Sequence, residues 1–110
     1  MIEKQSIFMG NVANLIAFII TTKGYKVTGG ELYRTKEQQQ IYFEQGKTRT
    51  LNSKHLKRLA IDLNIFINGR LVYDKAKLQE IGDYWEALHP DNSWGGNWKS
   101  FVDTPHFQMT

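Results

Sequence analysis

From Ala60 to Ile67 the side chains alternate residue by residue, with Ile61, Leu63, Ile65 and Ile67 on one side and Ala60, Asp62, Asn64 and Phe66 on the other. A two-residue period belongs to an extended chain with one face on a core, so this segment reads as a half-buried strand. Asn68-Gly69 follows directly. Both central residues of a type I′ turn need positive φ, so the pair predicts a tight hairpin with Arg70 to Tyr73 as the return strand. Asp62 then points away from the isoleucines.

The rest of the chain is arranged around that hairpin. Phe8, Val12, Leu15, Ile16 and Ile19 fall at helical spacing. The stretch Ile7 to Ile20 has the apolar character of a signal peptide, but Asn11 and Asn14 interrupt it, Glu3 offsets Lys4, and no small-residue cleavage site follows. It reads as a core helix, too short and too interrupted to span a bilayer. Gly24 and Gly29-Gly30 punctuate an extended stretch from Tyr25 to Tyr33 that holds a turn or bulge. Thr35-Lys36-Glu37-Gln38 has capping-box form, which starts a second helix near Lys36 and leaves Arg34 on the connection before it; Gly46 ends that helix. Asp74 caps a third helix carrying Leu78, Ile81, Trp85 and Leu88, ending where His89 meets Pro90. The last twenty residues, Trp94 to Trp98 among them, read as an ordered loop leading to a terminal strand from His106 to Met109. The order predicts an α+β fold, a small antiparallel sheet packed against about three helices. At 110 residues, one domain over 1–110 is expected.

Cysteine is absent, which excludes disulfides, thiolate metal sites and a cysteine nucleophile together. The 14 Lys and Arg exceed the 11 Asp and Glu, but they are scattered and form no basic stripe of the kind a nucleic-acid binder carries. Three histidines exist, His55, His89 and His106. Two histidines and a carboxylate satisfy the ligand count of a catalytic zinc, and His55 with Asp62 can converge if the intervening loop folds back. His106 joins them if the terminal strand pairs beside the first. Each also has a plainer reading as a hydrogen-bonded or surface residue, though a half-buried Asp62 needs a cation or donors. His89 suits the negative end of a helix dipole. Trp94 and Trp98 read as core and loop anchors, and Gly95-Gly96 as a tight turn. Asp103 lies three residues before His106 across Thr104-Pro105, as a general base beside metal and water or as a loop cap. Arg34 either polarises a carbonyl, holds a substrate carboxylate, or is a surface arginine.

Two segments resemble a known family. Ser53-Lys54-His55-Leu56-Lys57-Arg58-Leu59-Ala60-Ile61-Asp62-Leu63 resembles the S-x-H-x-x-G-x-A-x-D signature of the D-alanyl-D-alanine carboxypeptidase and phage endolysin family of zinc peptidases, peptidase family M15. Trp94-Gly95-Gly96-Asn97-Trp98 through Asp103-Thr104-Pro105-His106-Phe107 is similar to its W-G-G-x-W…D-x-P-H-F ending. With Tyr33-Arg34-Thr35 and Gln38, the match runs in order from about Gly29 to Gln108. The resemblance implies a Hedgehog/DD-peptidase-like fold with zinc in a cleft on the sheet, held by His55, Asp62 and His106. It implies Asp103 as base, Arg34 on the developing oxyanion or the substrate, and Ser53 as a substrate or supporting contact. Arg58 stands where the commonest signature has glycine. The ending is more like the endolysin branch, which cuts between L-alanine and D-glutamate. The expected partner is therefore bacterial peptidoglycan, with no nucleic acid and no membrane insertion, and the expected state is a monomer. Synthesis in the cytoplasm without a signal peptide, then action on the wall after release, completes the expectation. A D-alanyl-D-alanine carboxypeptidase or dipeptidase on the same scaffold and a non-catalytic metal-binding wall module are the alternatives.

Overall fold

The alternating segment forms the central strand. In a computed structural model, which describes residues 1–48 and 53–110, it is β2, Ala60–Ile67. β1 (Lys26–Gly29) pairs antiparallel with its residues 63 to 66, and β3 (Arg70–Val72) with residues 65 to 67. β5 (His106–Met109) pairs antiparallel with Ala60 to Asp62, and β4 (Asn92–Trp94) lies outside β5. Asn68 and Gly69 have φ of 53° and 79°, as the type I′ turn requires.

Three helices accompany this sheet, and two of them, the first and the third, build the core with it. α1 covers Ile2–Ala17 and continues through a π turn, Phe18–Thr22. α2 is Lys36–Glu44, with the Thr35 hydroxyl accepting the Gln38 N–H, and α3 is Lys75–Leu88, with the Asp74 carboxylate accepting that of Ala76. Phe8, Val12, Leu15 and Ile19 present one stripe of α1 to Leu78, Ile81 and Trp85 of α3 and to Leu63, Ile65, Phe107 and Met109 of the sheet. Trp85 is the hub. Its ring meets Phe8 and Phe107 edge-on at centroid distances of 5.7 and 5.9 Å, and its Nε1–H donates to the Ser93 and Gln108 carbonyls.

Two expectations are corrected here. The first helix is not too short to cross a bilayer: the π turn carries it to 21 residues, Ile2–Thr22, with a mean hydropathy of 1.3, enough by length and composition. Its buried stripe nonetheless packs on the core. Asn92 to Trp94, expected within a loop, is a strand, since three residues are too few for a legible period and pairing with β5 alone defines it.

Gly95-Gly96 is also more than a turn. The two residues open a short 3₁₀ turn, Gly95–Asn97, without positive φ, so closeness rather than conformation demands glycine. A Cβ on Gly96 would lie 2.2 Å from the Trp94 indole, one on Gly82 of α3 would lie 2.0 Å from it, and one on Gly95 would lie 2.2 Å from the Asp103 carbonyl oxygen. Trp94 is thus gripped between two glycines. Gly82→Ala is expected to destabilise the fold by about 3 kcal/mol, the upper range for an overpacked core. Gly10→Ala, at a helix position with open space around it, is expected to stabilise by about 0.5–1 kcal/mol. Denaturant midpoints of both variants check the contrast.

Candidate metal centre

His55 reaches the sheet through a short folded segment. The Ser53 hydroxyl accepts the His55 N–H at 3.2 Å, starting the 3₁₀ turn Lys54–Lys57, and Arg58 then reverses the chain with φ 56° and ψ 35°. This left-handed conformation explains why glycine is usual there, and a side chain costs about 1 kcal/mol. The Arg58 guanidinium lies 4.0 Å from the Tyr33 ring centroid, a cation–π contact that offsets part of that cost. The loop geometry is therefore kept without the glycine.

His106 arrives from the opposite direction. In the β2–β5 register it is the direct partner of Asp62. Its Nδ1 lies 3.3 Å from Asp62 Oδ1, while His55 Nε2 lies 3.4 Å from the same oxygen. The outer nitrogens are engaged elsewhere: His55 Nδ1 is 3.0 Å from the Leu32 carbonyl oxygen and His106 Nε2 is 2.8 Å from Gln108 Oε1. Both partners are acceptors, so with a metal bound each outer nitrogen would carry the proton and the lone pair of each inner nitrogen would face the site, whereas without one a proton on His106 Nδ1 bridges to Asp62.

His55 Nε2 is fully buried and has no hydrogen-bond partner, the contact with Asp62 being at the edge of hydrogen-bond range. A buried acceptor without a donor is costly unless a cation meets it. Tetrahedral zinc with bonds of about 2.0–2.1 Å has ligand-to-ligand edges of about 3.3 Å, and the two distances to Asp62 match that edge. The three ligand atoms lie within 4.8 Å of one another. This donor set fits a zinc ion.

The electrostatics favour positive charge. Burial pushes the Asp62 carboxyl up, but its close contacts with the His106 and His55 rings, and their charge when protonated, outweigh it and hold the group down at about 2. Burial lowers His106, yet its hydrogen bonds to Asp62 and Gln108 leave its pKa raised above the ordinary histidine value. Asp103 differs. Burial first, and then the charge of Asp62, raise its carboxyl pKa against the opposing pull of His106, His55 and Arg34. Its backbone is fixed on both sides, the N–H donating to the Gly95 carbonyl at 2.9 Å and the C=O accepting from His106 at 3.2 Å. Trp94 Nε1–H holds the next carbonyl, Thr104, at 2.8 Å. The glycine pair and Trp94 therefore set where Asp103 stands.

A cleft of about 360 Å³ contains Arg34, Ser53, His55, Asp62, Asp103 and His106 in its walls, so every candidate drawn from the sequence lies in one place. Arg34 is not a surface arginine. Its side chain is 11% exposed, with Nε paired to Glu31, Nη1 donating to Gln39 Oε1 at 2.7 Å, and the guanidinium 4.8 Å over the Tyr42 ring. Tyr42 in turn donates to the other Glu31 oxygen. Sequence reading misses this clamp of Glu31, Gln39 and Tyr42, because nothing local marks a glutamine as buried. Trp94 is a core anchor; Trp98 is held through Nε1 by Ser93 but also forms a cleft wall, 5.0 Å from the His106 ring. His89 is not in the cleft, and its Nδ1 accepts the Asp91 N–H beyond the end of α3.

The family model described as D-alanyl-D-alanine carboxypeptidase, of peptidase family M15, matches residues 46–109. The chain belongs to this family. It is 35% identical over 90 residues to the L-alanyl-D-glutamate peptidase of Listeria phage A118, covering 80% of this chain and 32% of that protein. It thus spans about a third of that relative's length. Among solved structures, the Serratia marcescens L-Ala D-Glu endopeptidase ChiX has the same fold, with a TM-score of 0.72 at 24% identity, covering 92% of this chain and 79% of the other.

Proposed function

We propose that this chain is a zinc-dependent peptidase that cuts the L-alanyl-D-glutamate bond in the stem peptides of bacterial peptidoglycan. The observation that carries the reading is the buried, partnerless His55 Nε2, facing Asp62 and His106 at the floor of a cleft that also holds a carboxylate, Asp103. The names of the phage relative and of ChiX support the bond chosen. The family's description as a D-alanyl-D-alanine carboxypeptidase supports the rival bond. Zinc held by His55, Asp62 and His106 would polarise the scissile carbonyl and acidify water beside it. Asp103 is assigned to take the proton from the attacking water and return it to the leaving amine, a task for which a carboxyl raised by burial is suited. Arg34, locked by Glu31 and Gln39, places its charge in advance beside the developing oxyanion.

Mass analysis of fragments from purified peptidoglycan tests the bond. New amino-terminal glutamate is expected; release of D-alanine alone would move the chain to the carboxypeptidase reading. Arg34→Ala is expected to lower kcat by about ten- to several-hundred-fold with zinc content unchanged, the loss of roughly one oxyanion donor. Unaltered kcat in a folded variant would remove Arg34 from the mechanism.

Zinc affinity should also depend on pH in one direction. A ligand histidine must be deprotonated, and His106 holds its proton above the ordinary value of 6.5. Acidification through that pKa is therefore expected to weaken binding by about tenfold per pH unit, with a plateau above it. Asp62, at about 2, stays charged throughout. Titration against a competing chelator from acid to mildly alkaline pH measures this, and a flat profile would oppose His106 as ligand.

A further inference from the structure

The cleft carries more positive charge than its own acids and a zinc ion require. Among the described residues, its walls hold three cations, Arg34, Lys47 and Lys54, and two carboxylates, Asp62 and Asp103. Arg34 is paired with Glu31 and already assigned to the oxyanion, and a divalent ion would balance Asp62 and Asp103. Lys47 and Lys54 remain. Lys47 continues the basic wall from Arg34, its Nζ lying 5.7 Å from the centroid of the same Tyr42 ring that Arg34 covers. Lys54 immediately precedes His55 in the 3₁₀ turn, so His55 and this charge are carried by one short segment. The Ser53 and Thr48 side chains belong to the same wall. Two lysines opening onto one cleft attract an anion supplied by the substrate.

We infer that Lys47 and Lys54 read the free α-carboxylate of the glutamate on the leaving side of the scissile bond, making the enzyme selective for stem peptides in which that carboxylate is not amidated. The inference rests on the proposed L-alanyl-D-glutamate specificity. A D-glutamate linked onward through its γ-carboxyl keeps its α-carboxylate on the carbon that bears the scissile nitrogen. That anion must therefore lie next to the metal centre. A carboxamide there has nearly the same shape but no charge and an NH₂ donor in place of one acceptor oxygen, so cationic donors such as two lysines tell the two apart.

The test uses the zinc-loaded protein and two synthetic peptides, L-Ala-γ-D-Glu-L-Lys and its α-carboxamide counterpart. The free acid is expected to be cleaved with about tenfold higher kcat/KM, and the ratio should shrink with added salt as screening rises. In Lys47→Gln/Lys54→Gln the ratio should fall to near one, whereas Lys47→Arg/Lys54→Arg should retain it, a pattern that general damage to the fold would not give. Equal cleavage of both peptides by the unaltered protein overturns the inference and leaves the proposed bond standing. Preference for the acid that survives in the double glutamine variant overturns the assignment to these lysines. Cleavage of neither peptide by zinc-loaded protein sinks the proposed bond, and the inference with it.

Discussion

Asp103→Asn is expected to slow hydrolysis of wall peptides by about two to four powers of ten while zinc stays bound and the fold is unchanged, the range typical of losing a general base. The substitution keeps the side chain's shape. It also leaves the contacts that hold the bend, because these are made by the backbone N–H and C=O of Asp103 with Gly95 and His106. What disappears is a carboxylate able to accept a proton, and in its place stands an amide that accepts none at neutral pH. Zinc stoichiometry should remain near one, since the proposed ligand atoms belong to His55, Asp62 and His106. A variant that loses zinc would make Asp103 part of the ligand set, and one that keeps full activity would free it from any part in proton transfer.

What was legible in the sequence follows from how far each signal reaches. Alternation over Ala60 to Ile67 and the Asn68-Gly69 pair are local, and both appear as read, in β2 and its type I′ turn. The caps at Thr35 and Asp74 are equally local, and their side chains accept the expected N–H groups. Convergence of Asp62 with His106 needed one long-range condition, β5 beside β2, and the register places the two residues opposite each other. Other features are set by residues far apart in the chain. Gly82 is glycine because Trp94 lies on it, and Gly95 because the Asp103 carbonyl approaches it. β4 exists through pairing with β5, and the length of α1 through a π turn that no hydrophobic period announces. Arg34 could not be distinguished from a surface arginine without Glu31, Gln39 and Tyr42 around it. The motif marked the arginine, but tertiary packing supplies the reason it is held still.

His106→Ala should fail differently from Asp103→Asn, although only three residues separate them. If His106 is a ligand as proposed, its loss leaves two protein donors where zinc needs three, so affinity is expected to fall by several powers of ten and activity with it. Stability should fall as well. His106 sits in the strand that joins β2 to β4, and its ring bridges Asp62 and Gln108. Alanine leaves the Asp62 carboxylate, half-buried beside His55, with one donor fewer, a loss of about 1–3 kcal/mol for a charged acceptor. The apo variant should therefore melt below the apo parent, and adding zinc should raise the melting temperature of the parent far more than that of the variant, because only the parent binds it tightly in the folded state. His89→Ala supplies the control, since His89 only holds the Asp91 N–H after α3, and both zinc content and hydrolysis should stay at parental levels. Thermal melts with and without zinc, beside metal content and peptide cleavage for the three variants, decide the assignment: zinc retained by His106→Ala at parental affinity would mean that the metal is held by other residues of the cleft.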